Sequence, residues 1–159
     1  MGDILWNELT AGLPNSTQWA HAVVRLLAAM LVGAIVGFQR ERTGKAAGLR
    51  THILVALGTT LFVFAATRSG MSSDGISRVI QGITTGIGFI GAGAILKLSA
   101  TQEIKGLTTA AGIWMTAAIG VAIGLGLLGL ALLATILTWI TLASLGLLEK
   151  RLEVKAPER

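Results

Sequence analysis

The chain has 159 residues, 53% hydrophobic and 13% charged, with a formal net charge of +5 and a mean hydropathy of +0.74. Its apolar residues lie in uncharged runs: between Arg50 and Arg68, between Arg78 and Lys97, and over the 43 positions 106–148. A bilayer core needs roughly 20 apolar residues per helix, so the runs exclude a soluble domain and define an all-α, polytopic membrane helical bundle. Zero cysteines exclude disulfides, thiolate metal sites and a cysteine nucleophile.

Residues 1–18 carry Asp3 and Glu8 but no Lys or Arg, so the n-region and h-region of a cleaved signal peptide are missing. Ile4, Leu5, Trp6, Leu9 and Leu13 suit a short interfacial helix on the periplasmic side, ended by a Pro14-Asn15-Ser16 turn; a frayed tail is the alternative. The first span, 19–39, opens near Trp19 after Asn15 or Ser16 as cap and contains one charge, Arg25. The second, 51–67, takes Thr51 as its cap. The third, 79–96, is dense in glycine. Positions 106–148 would make one helix about 65 Å long, twice the roughly 30 Å hydrocarbon thickness. The chain must therefore reverse, and glycines from Gly124 to Gly129 supply the turn, giving spans at 107–123 and 127–148 and a short tail at 149–159.

Five spans in a membrane domain of 19–148 put the termini on opposite sides. Arg40, Arg42, Lys45, Arg50, Lys97, Lys105, Lys150, Arg151, Lys155 and Arg159 then share one side, against Arg68 and Arg78 on the other. The positive-inside rule makes the ten-residue side cytoplasmic, with the N-terminus out and the C-terminus in. The basic balance is thereby a matter of topology, and nucleic acid is not an expected partner.

Lipid gives little hydrophobic drive between helices, so small residues that allow close approach organise the bundle. Ala29, Gly33 and Gly37 form such a stripe in the first span. In the third, Gly82, Gly86 and Gly93 fall on one side and Thr84, Gly88 and Gly91 on the other, near Gln81, which predicts a central helix. Close packing is one reading of these glycines; a broken helix lining a cavity is the other. The string Gly86-x-Gly88-x-x-Gly91 matches a dinucleotide fingerprint in letters only, because that motif needs a preceding strand. In the fourth span Thr109, Gly112, Thr116 and Gly120 share a face beside Thr108, as hydroxyl glue or a polar wall.

Ionisable groups inside membranes point to function, and here they are few. Arg25 either snorkels to the headgroups or pairs inward, with Asp74 or another partner on the outer side, and holds that end of the bundle. The candidate functional loop is Arg40, Glu41, Arg42, Arg50, Thr51 and His52. The candidate polar or glycine lining is Gln81, Thr84, Gly86, Gly88, Gly91, Gly93, Thr108, Thr109 and Thr116. No span holds an interior Asp or Glu, so a carboxylate cage for a dehydrated ion is not expected. Glu41 is the one candidate metal ligand. Two histidines, with no HExxH and no serine beside a base, give no catalytic residue and no cofactor, so the chain reads as a non-enzyme.

Three stretches carry a resemblance: Gly37-Phe-Gln-Arg-Glu-Arg-Thr-Gly-Lys-Ala-Ala-Gly-Leu-Arg-Thr-His52, Gly86-Ile-Gly-Phe-Ile-Gly-Ala-Gly-Ala-Ile-Leu96, and Gly106-Leu-Thr-Thr-Ala-Ala-Gly-Ile-Trp114. In this order and spacing they resemble the MgtC/SapB family of bacterial inner-membrane proteins. The chain looks like a short, SapB-like form without the C-terminal soluble domain of longer members. The resemblance implies a multi-pass inner-membrane location and a link to Mg²⁺ homeostasis, low-Mg²⁺ growth and virulence. It also implies binding and modulation of another membrane protein, the F-type ATP synthase in studied relatives. Transport of Mg²⁺ or another small ion or solute is the alternative. The lipid bilayer and a homodimer or larger homo-oligomer complete the expected partners.

Overall fold

The computed structural model describes residues 1–10, 15–98 and 103–153, with side chains over 1–8, 15–95 and 104–144. It is an all-α bundle of membrane type, with helices α1 (Gly2–Thr10), α2 (Ser16–Arg42), α3 (Leu49–Arg68), α4 (Ser73–Gly93), α5 (Leu107–Gly124) and α6 (Leu128–Glu153). Between α4 and α5 stands a small antiparallel hairpin of β1 (Leu96–Leu98) and β2 (Glu103–Lys105), with Leu96 opposite Lys105. By length and composition, α2, α3 and α5 are able to cross a bilayer; the described apolar stretch of α6, Leu128–Ser144, is shorter.

The core is the α2–α3–α5 trio, and glycine is what closes it. A Cβ on Gly33 would stand 2.7 Å from the His52 carbonyl oxygen, and one on Gly37 would stand 2.7 Å from Leu49 Cα. On the other side of α3, a Cβ on Gly120 would overlap the Thr59 hydroxyl, and one on Gly124 would lie 2.7 Å from Val63 Cβ. Two GxxxG pairs thus bring three backbones together, as membrane packing requires. Ala29, Val32, Ala56, Ile119 and Ile123 fill the space between these approaches.

α6 packs on α2 and α5, and α4 packs on α5 and α3. The expected central position of the third span is overturned: α4 is peripheral, with only Ile87 and Gly91 buried among its residues. Gly82, Gly86, Gly88 and Gly93 have nothing within 4 Å of where a Cβ would be, and Phe89 is 84% exposed. The helix is continuous rather than broken, and it begins six residues earlier than expected because the Ser72 hydroxyl accepts from Gly75 N at 3.3 Å and caps it. Its end at Gly93 is set by the hairpin that replaces the expected last turn. Gly106, at φ +97°, makes the return into α5; a Cβ there would overlap the Ala94 carbonyl.

The reversal between α5 and α6 falls in the expected glycine segment, with Gly126 at φ +87°. Thr51 is not the cap of α3. Gly48 holds that position, and the cap's oxygen comes from another helix.

Candidate functional site

Where the end of α2, the start of α3 and the start of α5 converge, polar side chains turn inward. Arg40, in the last turn of α2, is only 3% exposed, and its Nη2 donates to Thr109 Oγ1 at 3.1 Å. His52, in the first turn of α3, is fully buried with Nδ1 2.7 Å from Thr116 Oγ1. The Thr116 hydroxyl donates to the Gly112 carbonyl at 2.9 Å. The same hydroxyl thus meets both the imidazole and the α5 backbone, and links the start of α3 to α5. Gly37 and Gly112 flank the side chain: a Cβ at Gly37 would meet His52 Cβ at 3.1 Å and one at Gly112 would meet its Cε1 at 3.6 Å. One turn deeper, Thr60 donates to the Gly120 carbonyl at 2.9 Å.

Three buried atoms of this knot, Gln39 Oε1, Arg40 Nε and His52 Nε2, have no hydrogen-bond partner. Buried polar groups are ordinarily paired, so these atoms are the places where a further donor or acceptor would be taken up. Arg40 is the one charged side chain among the buried residues described. No group of three or more His, Asp or Glu that would hold a metal ion occurs among the described residues.

The expected loop residues divide. Glu41 is exposed, and its Oε2 accepts from Leu49 N at 2.7 Å, so it caps α3 from the preceding helix. Gly48 makes room, since a Cβ there would meet Glu41 Oε2 at 2.7 Å. Arg42 is exposed over the Phe38 ring at 5.5 Å; Arg50 is exposed and Thr51 half-buried. Of the candidate lining, Thr109, Thr116 and Gly91 are buried, and a Cβ on Gly91 would lie 3.6 Å from Ala110 Cβ. Gln81, Thr84, Gly86, Gly88, Gly93 and Thr108 are exposed, and the Thr84 hydroxyl returns to the Ile80 carbonyl at 2.9 Å. The two helices therefore do not bring that set together. The groove of about 210 Å³ between them takes Thr84 from that set and is otherwise lined by apolar groups such as Ile80, Ile87, Trp114 and Val121.

At the opposite end of the bundle Arg25 points inward, and of the two expected kinds of partner it takes one other than Asp74. Its Nη1 donates to the Gly124 carbonyl at 2.8 Å and its guanidinium lies 5.1 Å from the centre of the Phe64 ring. It thus satisfies a carbonyl at the end of α5. Sequence reading missed Gln39 and the pairing of Arg40 and His52 with two threonines of one α5 face. The repeat Thr109, Gly112, Thr116 was the available signal, since it marks a face that a partner's polar groups must meet.

An all-α membrane bundle with glycine-closed helices and, among the described residues, a basic interior without a buried carboxylate is the class of protein these features define. The chain belongs to the MgtC family, which it matches over residues 26–151. It is 46% identical over 144 residues to protein SrpB of Synechococcus elongatus, covering 84% of this chain and 79% of that one. It is 41% identical over 130 residues to YhiD of Escherichia coli K12, described as a candidate magnesium transporter, covering 77% and 60%. Protein MgtC of Salmonella typhimurium is 44% identical over 115 residues, covering 72% of this chain and 48% of that one. The chain thus spans about half to three fifths of the length of the last two relatives. No solved structure matches it.

Proposed function

We propose that this chain is a non-enzymatic, multi-pass bacterial inner-membrane protein of Mg²⁺ homeostasis that acts by binding and modulating another membrane protein. Family membership and the description of YhiD support the link to Mg²⁺. One observation favours modulation over transport: the buried charge among the described residues is the cation Arg40, with no carboxylate in the surrounding knot. Mg²⁺ sheds water reluctantly and favours carboxylate oxygens, and a fixed guanidinium repels it. The unpartnered glycine face of α4 is the surface we assign to association, with a second copy or with a membrane partner such as the F-type ATP synthase sector. In this reading five helices span the membrane, with the N-terminus out and the C-terminus in.

Mg²⁺ uptake into proteoliposomes with an internal indicator tests the proposal. Uptake equal to that of empty liposomes, with oriented and folded protein, is expected. Uptake above that level, lowered by Thr109→Val, would replace modulation with a carrier whose path runs through the knot.

A further inference from the structure

We propose that the cavity between the start of α2, the end of α3 and the α5–α6 turn binds a phosphate-type oxyanion, either on an anionic phospholipid headgroup or free in solution. It has a volume of about 210 Å³, and its lining includes His21, Arg25 and Arg68 without any carboxylate. Two guanidiniums and an imidazole converge on one space, so charge repulsion there is relieved by an anion. Such groups are also the donors that phosphate oxygens favour.

The donors are held in place before any ligand arrives. Arg25 is fixed by the Gly124 carbonyl and the Phe64 ring, and a Cβ on Gly126 would come within 2.6 Å of its Nη2, so glycine leaves the guanidinium its room. Arg68 Nη2 donates to Gln18 Oε1 at 2.5 Å, which ties the ends of two helices across the cavity. Gln18 spends its oxygen on this bond, so its amide hydrogens are what it has left to offer an acceptor. Ordering costs already met in the free protein favour binding. Arg25 lies nine residues from the start of α2, about 13 Å along the axis, and exposed Trp19 stands between them. Tryptophan favours the membrane–water interface and an arginine side chain extends toward it, so both suit a headgroup beside this cavity.

Two measurements on the full chain separate the sources. Native mass spectrometry reads retention of phosphatidylglycerol against phosphatidylcholine, and calorimetry in phosphatidylcholine nanodiscs reads binding of inorganic phosphate. Arg68→Gln removes an exposed donor while leaving the Arg25 anchor intact, and Arg78→Gln removes a charge outside the cavity. A phosphatidylglycerol preference that falls about tenfold in Arg68→Gln and persists in Arg78→Gln assigns the site to lipid. Phosphate binding with the same variant pattern assigns it to the free oxyanion. Neither signal in the wild type, or a signal that Arg68→Gln leaves intact, overturns the proposal. His21→Gln is the second variant, expected to weaken whichever signal is present by a smaller factor.

Discussion

Arg40 keeps its charge in the interior on a single side-chain hydrogen bond, which makes Thr109 the residue whose loss is felt most directly. Thr109→Val removes that acceptor at nearly constant volume and is expected to destabilise the bundle by about 1–3 kcal/mol. Thr116→Val strands His52 Nδ1 and should cost about 0.6–2 kcal/mol, the range for neutral hydrogen bonds between membrane helices. Chemical denaturation in mixed micelles would order the two, and a Thr116→Val cost exceeding that of Thr109→Val would contradict the weight given to Arg40. Glu41 separates a cap from a metal ligand. Glu41→Gln retains an oxygen for Leu49 N and should lose no more than about 0.3–1 kcal/mol of charge–dipole energy, whereas Glu41→Ala also loses the hydrogen bond and should cost about 0.5–2 kcal/mol. Mg²⁺-dependent stability lost in Glu41→Gln would restore the ligand reading. The residue types of this site were legible in the Gly37–His52 stretch, but their roles were not. Arg40, Glu41 and Arg42 are consecutive in sequence, and only helix geometry sends the first inward, the second to α3 and the third over Phe38.

Helices divide by what their glycines touch. Gly120→Ala drives a methyl into Thr59 and to 2.8 Å from the Ala56 carbonyl, so α3 and α5 must separate and a loss of about 1–3 kcal/mol is expected. Gly86→Ala meets nothing and should gain up to about 1 kcal/mol from helix propensity. Gly86→Leu tests what covers that face: light scattering in mild detergent should show less self-association than wild type, with the helix content unchanged. Unaltered association would remove α4 from the assembly surface. The sequence pattern conveyed that α4 has two glycine faces. It could not convey that α5 and α3 together occupy only a narrow strip of the helix and leave the rest open, because a pattern of small residues is the same whether the neighbour belongs to this chain or to another molecule. The stripes of α2 and α5 were readable for the opposite reason. Each alternates with buried apolar residues and ends at a polar group whose partner lies in the same chain.

At the scale of the whole molecule, Arg40 with Thr109 joins the end of α2 to the start of α5, and Arg25 with Gly124 joins the start of α2 to the end of α5. Arg42, Lys45, Arg50 and the hairpin are gathered at the first of these ends, and Arg68 lies at the second beside Gln18. Charge counting expects these two groups of charges on opposite sides of the membrane, and α4 runs between the same two ends. Orientation in the membrane is directly testable in a chain without cysteine. Single cysteines at Ala46 and Ser77 should react with an impermeant maleimide from opposite sides, Ala46 from the cytoplasm. Labelling of Ala46 in intact spheroplasts would invert the proposed topology.

The hairpin closed by Gly106 also bears on how the protein is made. α4 leaves the ribosome before α5, its main neighbour, and it falls short of the apolar composition that marks α2, α3 and α5 as candidate spans. The β1–β2 connection places the more apolar α5 close behind α4 in the chain, so the two are available to each other as they enter the bilayer. A chain truncated after Gly93 is therefore expected to leave α4 accessible to protease in membrane vesicles, while a chain extended through Gly124 protects it. On this account α5 acts during synthesis as the escort of α4, and the glycine that permits their tight connection is a requirement of biogenesis before it is one of the finished bundle.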